Sequence, residues 1–231
     1  MQGFLILFIM KHNQEYKDQA LDALRGNWTN PLLCTLVLML LTYFLSFPYI
    51  IGNLVRIGQI TLDFVNPFYL SGGGIALYIL LLFPLSIGVL NAYNRFYLYG
   101  EQNCLENMFK ETFNGYGRNV LASLLMYVYV ILWTLLLIIP GIVKVFSYAM
   151  TPYIIKEHPE ISVDEAIDMS RAMMKGRKFD LFYLHISFIG WWILSIMTLG
   201  IGFIWLVPYV MTAQASFYED VKQDYLAKVR P

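Results

Sequence analysis

The feature that most constrains this chain is an uncharged run of 38 residues, 181–218. A single helix of that length would extend about 57 Å, nearly twice the hydrocarbon thickness of a bilayer, about 30 Å. We expect the run to fold back at Gly200 and Gly202, where glycine interrupts the helical pattern. It therefore predicts two membrane-spanning helices joined by a tight turn.

Four further uncharged stretches predict four more spans. Residues 31–52 and 75–97 hold the first two, and residues 119–143 and 145–155 hold the third and fourth, with an interruption at Pro140. A charged side chain at the centre of a span costs about 2.5–3.5 kcal/mol, so such runs mark the bilayer. The composition agrees, because 58% of the 231 residues are hydrophobic and 14% are charged. The sequence predicts an all-α polytopic membrane protein with six transmembrane helices.

The positions of the cations predict the orientation. With six spans, fourteen of the 16 Lys and Arg residues fall on or next to the side that holds both termini, and Arg56 and Lys144 remain for the other side. Cytoplasmic loops carry the excess of Lys and Arg. We therefore expect both termini in the cytoplasm.

Three short amphipathic helices are predicted on the cytoplasmic side, one before each pair of spans. Ser162 and Glu165 form a capping box for the third helix, and Gly176 ends it. The predicted apolar stripes are Tyr16, Ala20, Leu21 and Leu24; Leu105, Met108, Phe109 and Phe113; and Val163, Ala166, Ile167, Ser170 and Met174.

The same order recurs three times, which predicts three hairpin repeats. Tyr148 to Thr151 recurs as Tyr209 to Thr212, 61 residues later, and Gly115 recurs as Gly176 with the same offset. Copies that each return to the starting side have parallel topology, and they would surround an axis along the membrane normal. The predicted units are residues 13–99, 100–156 and 157–221. An apolar tail, 1–12, and a cytoplasmic tail, 222–231, flank them.

Several segments together resemble a known family of bacterial integral membrane proteins, family 975 of the domains of unknown function. The resemblance lies in residues 132–150, 158–167, 170–176, 188–191 and 198–202, with Pro208-Tyr209 and 217–220. It covers most of residues 14–222 and is most specific in the second half. It implies a multi-pass protein of the bacterial inner membrane, and it brings no established activity.

The candidate contacts for lipid or an anion are five cations: Lys144, Arg95, Lys175, Arg177 and Lys178. Lys144 lies inside an apolar stretch, and we expect its ammonium to reach the outer interface along its apolar stem. The alternative is an anion or lipid-headgroup site facing the seam between hairpins. Residues 175–178 abut the membrane, where each cation gains about 1 kcal/mol from anionic lipid.

The sequence contains no motif typical of catalysis, a cofactor or a metal site, and no feature that predicts a nucleic-acid partner. The favoured function is a structural or accessory component that binds membrane lipid and other membrane proteins. A transporter or channel for a small solute is the alternative. A membrane enzyme is the third hypothesis, and it would need cytoplasmic-facing chemistry from Asp180, Glu157 or Glu219.

The predicted topology can be tested with reporter fusions. A reporter placed after Gln223 or within residues 175–178 should report the cytoplasm, and one inserted near Asp63 should report the exterior, because the cations divide fourteen to two between the sides. Reporter activity is measured in intact cells. A cytoplasmic signal near Asp63 would contradict the six-span topology.

Overall fold

The computed structural model describes the backbone of residues 2–56, 73–101 and 103–229. Within these ranges it describes all side chains except those of residues 2–12, 46–56, 73–75, 77 and 78. The described residues form eleven helices and no strand. The helices are α1 (Gln2–Leu24), α2 (Thr29–Arg56), α3 (Gly73–Tyr99), α4 (Cys104–Phe113), α5 (Tyr116–Leu136), α6 (Ile138–Tyr148), α7 (Thr151–Glu157), α8 (Val163–Met173), α9 (Lys178–Ile186), α10 (Ile189–Met197) and α11 (Phe203–Val229).

Four helical segments are long and apolar enough to cross a membrane: Ile79–Tyr99, Tyr116–Leu136, Ile138–Glu157 and Lys178–Met197. A fifth candidate is the pair Asn13–Leu24 and Thr29–Leu45, which is bent by 102°. The prediction of an all-α chain is therefore confirmed for the described residues, and their four to five candidate spans are consistent with a membrane protein. The predicted exterior loop around Asp63 lies outside them.

The two predicted tails continue helices. Residues 2–12 form the first half of α1, and residues 222–229 extend α11. No proline or glycine lies at residues 12–13 or 221–222, where the boundaries were predicted. The boundaries predicted at residues 12 and 222 are thus not breaks in the described backbone.

The chain reverses direction at Leu137, not at the Pro140 interruption expected from the sequence. Leu137 is extended, with φ −161° and ψ 137°, and it separates α5 from α6. Pro140 is the third residue of α6. Proline is tolerated in the first turn of a helix because the N–H that it lacks would have no partner there. Pro140 therefore belongs to the start of a helix rather than to the end of one.

The second reversal lies where the glycines predicted it. Helix α10 ends at Met197, and α11 begins at Phe203. Between them Leu199 and Gly200 have φ values of +54° and +90°. Glycine adopts this left-handed conformation without steric cost, which explains its presence at the turn.

Both reversals bring a glycine against a hydroxyl residue seven positions earlier. A Cβ on Gly141 would lie 2.8 Å from the Thr134 Cα, and a Cβ on Gly202 would lie 2.8 Å from the Ser195 Cα. Thr134 and Ser195 each donate a hydrogen bond to the carbonyl four residues earlier, at 2.7 and 2.8 Å. The two turns therefore share one mode of close helix packing.

For description we name three groups of helices the first, second and third hairpin: α2 with α3, α5 with α6 and α7, and α9 with α10 and α11. An amphipathic helix precedes each, and Gly26, Gly115 and Gly176 lie between helix and hairpin with φ values of +79°, +67° and +88°. Each amphipathic helix packs on a hairpin other than the one that follows it.

Helix α4 packs on the first hairpin, and α8 packs on the second. Gly88 of α3 leaves the space that Thr112 of α4 fills. Ser170 of α8 donates to the Ser147 carbonyl at 2.9 Å, and the Met150 N–H donates to the Ser170 hydroxyl at 3.2 Å. Each helix thus covers apolar surface of the hairpin that comes before it in the chain.

Helix α1 covers the third hairpin and so connects the two ends of the chain. The Tyr16 ring meets the Phe217 ring edge-on at 5.3 Å, and the Tyr16 hydroxyl donates to Asp220 at 2.6 Å. The Lys17 ammonium donates to the Ser187 carbonyl at 2.9 Å. The three helices therefore cover the three hairpins in a closed ring.

The third predicted apolar stripe is confirmed and the other two need correction. All five residues of the third stripe are buried, four of them in α8 and Met174 directly after it, and the capping box of α8 is formed by Ser162 and Glu165. On α1, Leu21 is exposed while the rest of its stripe is buried. On α4, Phe109 and Phe113 are exposed, and the buried face is instead formed by Cys104, Asn107, Met108, Glu111 and Thr112. The gap at Gly88 accepts Thr112, and this contact sets the rotation of α4.

Helix α3 joins the hairpins. Asn91 donates to the Pro152 carbonyl of the second hairpin at 2.8 Å, and Asn94 donates to Glu219 of the third at 3.3 Å. Tyr153 and Tyr218 stack at 4.4 Å beside these bonds. Polar contacts as well as apolar packing between α3, α7 and α11 therefore hold the three hairpins together.

The close turn predicts different outcomes for two glycine substitutions in the second hairpin. Gly141→Ala should destabilise the protein by about 1–3 kcal/mol, because its Cβ would clash with the Thr134 backbone. Gly117→Ala is the control, since nothing lies within 4 Å of its Cβ position and alanine favours a helix. Thermal unfolding in detergent measures both. Equal stability of the two variants would contradict this packing.

Candidate functional site

A polar cleft of about 430 Å³, here called the cationic cleft, lies between α6, α8 and the start of α9. Its lining residues are Lys144, Ser147, Asp168, Arg171, Ala172, Lys175 and Lys178. Three of the five predicted cations, Lys144, Lys175 and Lys178, thus lie together although 34 residues separate the first from the last. The arrangement is suited to binding an anion.

The docking of α8 builds this cleft. The capping box fixes the start of α8, with the Glu165 N–H donating to the Ser162 hydroxyl and the Ser162 N–H donating to the Glu165 carboxylate. These hydrogen bonds also lower the pKa of Glu165, which keeps the carboxylate charged in its capping role. The bonds of Ser170 then hold α8 against α6, so that Arg171 faces Lys144.

Gly176 turns the chain so that the loop joins the cleft. Its φ of +88° reverses the backbone between α8 and α9, and no other atom lies within 4 Å of its Cβ position. The turn brings Lys175 and Lys178 to the same lining. Glycine is favoured at this position because a side chain would strain the left-handed conformation.

Lys144 lies in the cationic cleft, and the expectation that its ammonium reaches the outer interface stays a prediction. Its ammonium is 4.3 Å from the Trp133 ring centroid and 5.8 Å from that of Tyr148. Lys144 shares the cleft with Arg171, and Arg171 belongs to the segment predicted on the side opposite to the outer interface. The alternative interpretation, an anion or lipid-headgroup site, fits this geometry.

The charges of the cleft are unbalanced. Arg171 forms a salt bridge with Asp168 at 2.6 Å, and both side chains are largely exposed. With the residues that the structure describes, Lys144, Lys175 and Lys178 form no salt bridge. Four cations therefore face one carboxylate, and the cleft has a net positive charge.

A second cavity, of about 480 Å³, lies beside the cationic cleft between α6 and α9, and we call it the apolar groove. Its lining residues are Ile139, Ile142, Val143, Phe146, Lys175, Gly176, Lys178, Phe179 and Phe182. Lys175 and Lys178 line both the groove and the cleft. Phe179 is 69% exposed and Ile139 is 76% exposed, so the groove is open to the surroundings of the protein. Polar and apolar binding surfaces are thus contiguous.

Arg95, the fourth predicted cation, lies elsewhere and is neutralised. It forms hydrogen bonds to both carboxylate oxygens of Glu101, at 2.9 and 3.0 Å, and its guanidinium is 3.6 Å from Glu111. The bonds from Arg95 lower the pKa of Glu101. Arg95 lines a separate cleft of about 220 Å³ together with Asn91, Asn94, Leu98, Tyr99, Glu111, Lys156 and Glu157.

Arg177, the fifth predicted cation, points away from the cationic cleft toward three carboxylates. It pairs with Asp180 at 3.2 Å, with Asp224 at 3.1 Å and with Asp220. Burial by itself would lower the pKa of Arg177, but its negatively charged surroundings raise it. Arg177 therefore ties the α8–α9 loop to the end of α11.

Sequence reasoning missed Arg171 and the whole apolar groove. Arg171 could have been found from its four-residue spacing from Lys175, which places the two on one side of a helix. The proximity of Lys144 could not be read from spacing, because it depends on α8 docking against α6. Among the described residues, no group of three His, Cys, Asp or Glu side chains could hold a metal ion.

A family model described as a protein of unknown function (DUF975) matches residues 74–225, which include the cationic cleft, the apolar groove, the second hairpin and the third hairpin up to Tyr225. No curated protein and no solved structure matches the chain.

Arg177 and Lys175 both lie in the loop between α8 and α9, but among the described residues only Arg177 is paired with carboxylates. We therefore expect their neutral variants to differ in stability. Arg177→Gln should destabilise the protein by roughly 2–4 kcal/mol, because it removes a partly buried cation that forms salt bridges to Asp180, Asp220 and Asp224. Lys175→Gln, two residues away, should change stability by at most about 0.5 kcal/mol, since its side chain is exposed. Denaturant unfolding in detergent compares them, and similar losses in both variants would contradict this assignment.

Proposed function

We propose that this chain, which belongs to the DUF975 family of proteins of unknown function, is a structural or accessory membrane protein that binds anionic lipid headgroups in the cationic cleft. The observation that carries the proposal is the cleft itself, where Lys144, Lys175 and Lys178 meet Arg171 with one carboxylate among them. Anionic lipid supplies the negative charge that the described residues lack.

The position of Lys144 is the first argument. It is the seventh residue of α6, about 9 Å along the helix from its start, within a segment long and apolar enough to cross a membrane. A charge in such a segment is costly unless it is paired or hydrated. The Trp133 ring contributes about 0.5–2 kcal/mol by cation–π attraction and leaves the charge unpaired. An anionic headgroup in the cleft compensates it.

The neighbourhood of the cleft is the second argument. Hydrophobic side chains that are at least half exposed surround it on α6 and α9, among them Ile139, Ile142 and Phe179. Exposed apolar surface of this extent is typical of contact with lipid chains. A cationic cleft bordered by such a surface can bind an anion that is itself anchored in lipid, and this favours a headgroup over a soluble anion.

We further propose that the chain has six spans, arranged as three hairpins with both termini in the cytoplasm of a bacterial cell, in its inner membrane. The matching turns at Gly141 and Gly202, 61 residues apart, support a repeat of the second and third hairpins. The left-handed glycines at 26, 115 and 176, and the three covering helices, support a third copy. The uncharged first half of α11 would provide the sixth span.

Lipid retention tests the proposed function. Lys175→Gln combined with Lys178→Gln should lower the retention of anionic lipid about 30-fold, because each cation contributes about 1 kcal/mol beside an anionic surface. Lys110→Gln with Lys228→Gln is the matched control, since both residues are exposed and lie outside the cleft. The protein is purified from nanodiscs of mixed lipids, and the bound lipid is counted by mass spectrometry.

If both double variants lost the same amount of anionic lipid, the loss would be explained by general surface charge, and the proposal would be contradicted. The measurement is repeated at high salt, where we expect a smaller loss for the control pair than at low salt because exposed charges are screened. Retention of anionic lipid by the Lys175 and Lys178 variant at the wild-type level would contradict the proposal directly.

A small-solute transporter is the second candidate, and buried unpaired oxygens favour it. Among the described residues, Asn94 Oδ1, Thr151 Oγ1 and the Tyr153 hydroxyl are buried without a hydrogen-bond partner. Asn94 lines the cleft of about 220 Å³, which also contains Arg95, Lys156 and Glu157. Cations beside carboxylates suit a zwitterion. Uptake of labelled amino acids into proteoliposomes, lost in Asn94→Ala, would support transport.

A further inference from the structure

We infer that the ligand of the cationic cleft is a lipid phosphomonoester whose acyl chain lies in the apolar groove. This inference rests on the proposed function and makes it specific. It names the headgroup chemistry, a terminal phosphate carrying close to two negative charges, and it assigns the groove between α6 and α9 to one chain of the same molecule.

The shared lining residues indicate one amphiphile rather than two ligands. Lys175 and Lys178 border the groove on one side and the cleft on the other. Gly176, between them, presents no side chain at the junction. A molecule whose phosphate lies among the lysines can therefore extend its chain past Gly176 to Phe179 and Val143, because none of the described side chains stands between the cleft and the groove at that point. Lysine stems also provide apolar surface below their ammonium groups.

The volumes fit such a molecule. The cleft of about 430 Å³ exceeds what a bare ion needs, and the groove of about 480 Å³ is of the size that ligand sites for small molecules have. The aromatic rings of Phe146 and Phe182, which line the groove, meet edge-on at 5.7 Å. They offer an apolar surface against which a chain segment can pack.

The charge of the cleft selects the headgroup. Lys144 on α6, Arg171 on α8, and Lys175 and Lys178 in the following segment face one carboxylate, Asp168, which is already paired with Arg171. A phosphodiester headgroup brings one negative charge, whereas a phosphomonoester carries about 1.5 to 2 at pH 7 and has three acceptor oxygens. The monoester therefore pairs more completely with three otherwise unpaired lysines.

The charge of the ligand makes binding depend on pH. The second ionisation of a phosphomonoester lies near pH 6, so its second charge is lost on acidification. The charged groups that face the headgroup are the Lys, Arg and Asp side chains of the cleft, and the Tyr148 ring lies beside Lys144. The reference pKa values of Asp, Tyr, Lys and Arg side chains lie outside the range 5–7.5. His185 contacts Phe146 at the groove, so His185→Gln serves to separate its titration from that of the ligand.

Competition between two lipids tests the headgroup. Nanodiscs of phosphatidylcholine carry equal small fractions of phosphatidic acid, a monoester, and phosphatidylglycerol, a diester, and the lipids retained by the purified protein are counted. At pH 7.5 we expect about tenfold enrichment of phosphatidic acid, from the additional charge beside several cations. The ratio should fall toward one at pH 5, also in His185→Gln. Lys144→Gln should reduce the enrichment, and Lys144→Arg should retain most of it.

A bulky residue tests the groove. Val143→Trp should lower phosphatidic acid retention at least fivefold by filling the groove. Ile193→Trp on α10 is the control, because it is exposed and does not line the groove. A matching helical circular-dichroism spectrum and elution volume show that each variant is folded. Inorganic phosphate, added to the detergent-solubilised protein, should give the same shift in melting temperature in Val143→Trp as in wild type.

The outcomes separate the inference from the proposed function. Equal retention of the two anionic lipids at pH 7.5, or an enrichment unchanged at pH 5, overturns the phosphomonoester while leaving anionic lipid binding intact. Undiminished retention in Val143→Trp overturns the acyl-chain assignment. Stabilisation by inorganic phosphate with no enrichment of phosphatidic acid shows a site for the free ion and overturns the lipid ligand. Failure to retain any anionic lipid overturns the proposed function itself.

Discussion

The packing of each amphipathic helix on a hairpin from another part of the chain is the interaction on which the rest of the structure depends. A helix with one apolar face must cover that face. In this chain α4, α8 and α1 cover the first, second and third hairpins, and their charged faces remain outside. The cationic cleft is a product of this packing, because Lys144 becomes a neighbour of Arg171 only where α8 lies against α6.

The chain holds its cations in two contrasting ways. Arg95 and Arg177 lie among carboxylates, with which they form salt bridges. Lys144, Lys175 and Lys178 lie together without such partners among the described residues. The formal net charge of zero conceals this difference. Pairing of the first kind stabilises a fold, whereas unpaired cations around a cleft provide the attraction that a charged ligand needs.

Features that depend on neighbours in the sequence were predictable. The capping box of Ser162 and Glu165, the stop at Gly176 and the turn at Gly200 all follow from local backbone chemistry. Pro140 was misjudged because proline can begin a helix as well as interrupt one. The rotation of α4 was misjudged because it depends on a space left by Gly88, more than twenty residues away.

The candidate site was predictable in part. The five cations could be selected from the sequence, and three of them lie in the cleft. The sequence does not show which three cations lie in the cleft, because carboxylates distant in sequence determine this. Arg177, for example, is neutralised by Asp220 and Asp224 on α11. The apolar groove gave no signal at all. Its residues repeat the hydrophobic character of every span, and only the separation between α6 and α9 distinguishes them.

The covering of the third hairpin by α1 has a consequence for biosynthesis. Tyr16 and its partner Asp220 are separated by 204 residues, which a ribosome takes roughly 10–40 s to add. During that interval α1 lacks the surface of α11 against which Tyr16 and Ala20 pack in the finished chain. If two chains are inserted side by side, α1 of one can cover the third hairpin of the other with the same contacts. The ring that closes one molecule is therefore also a route to an exchanged dimer.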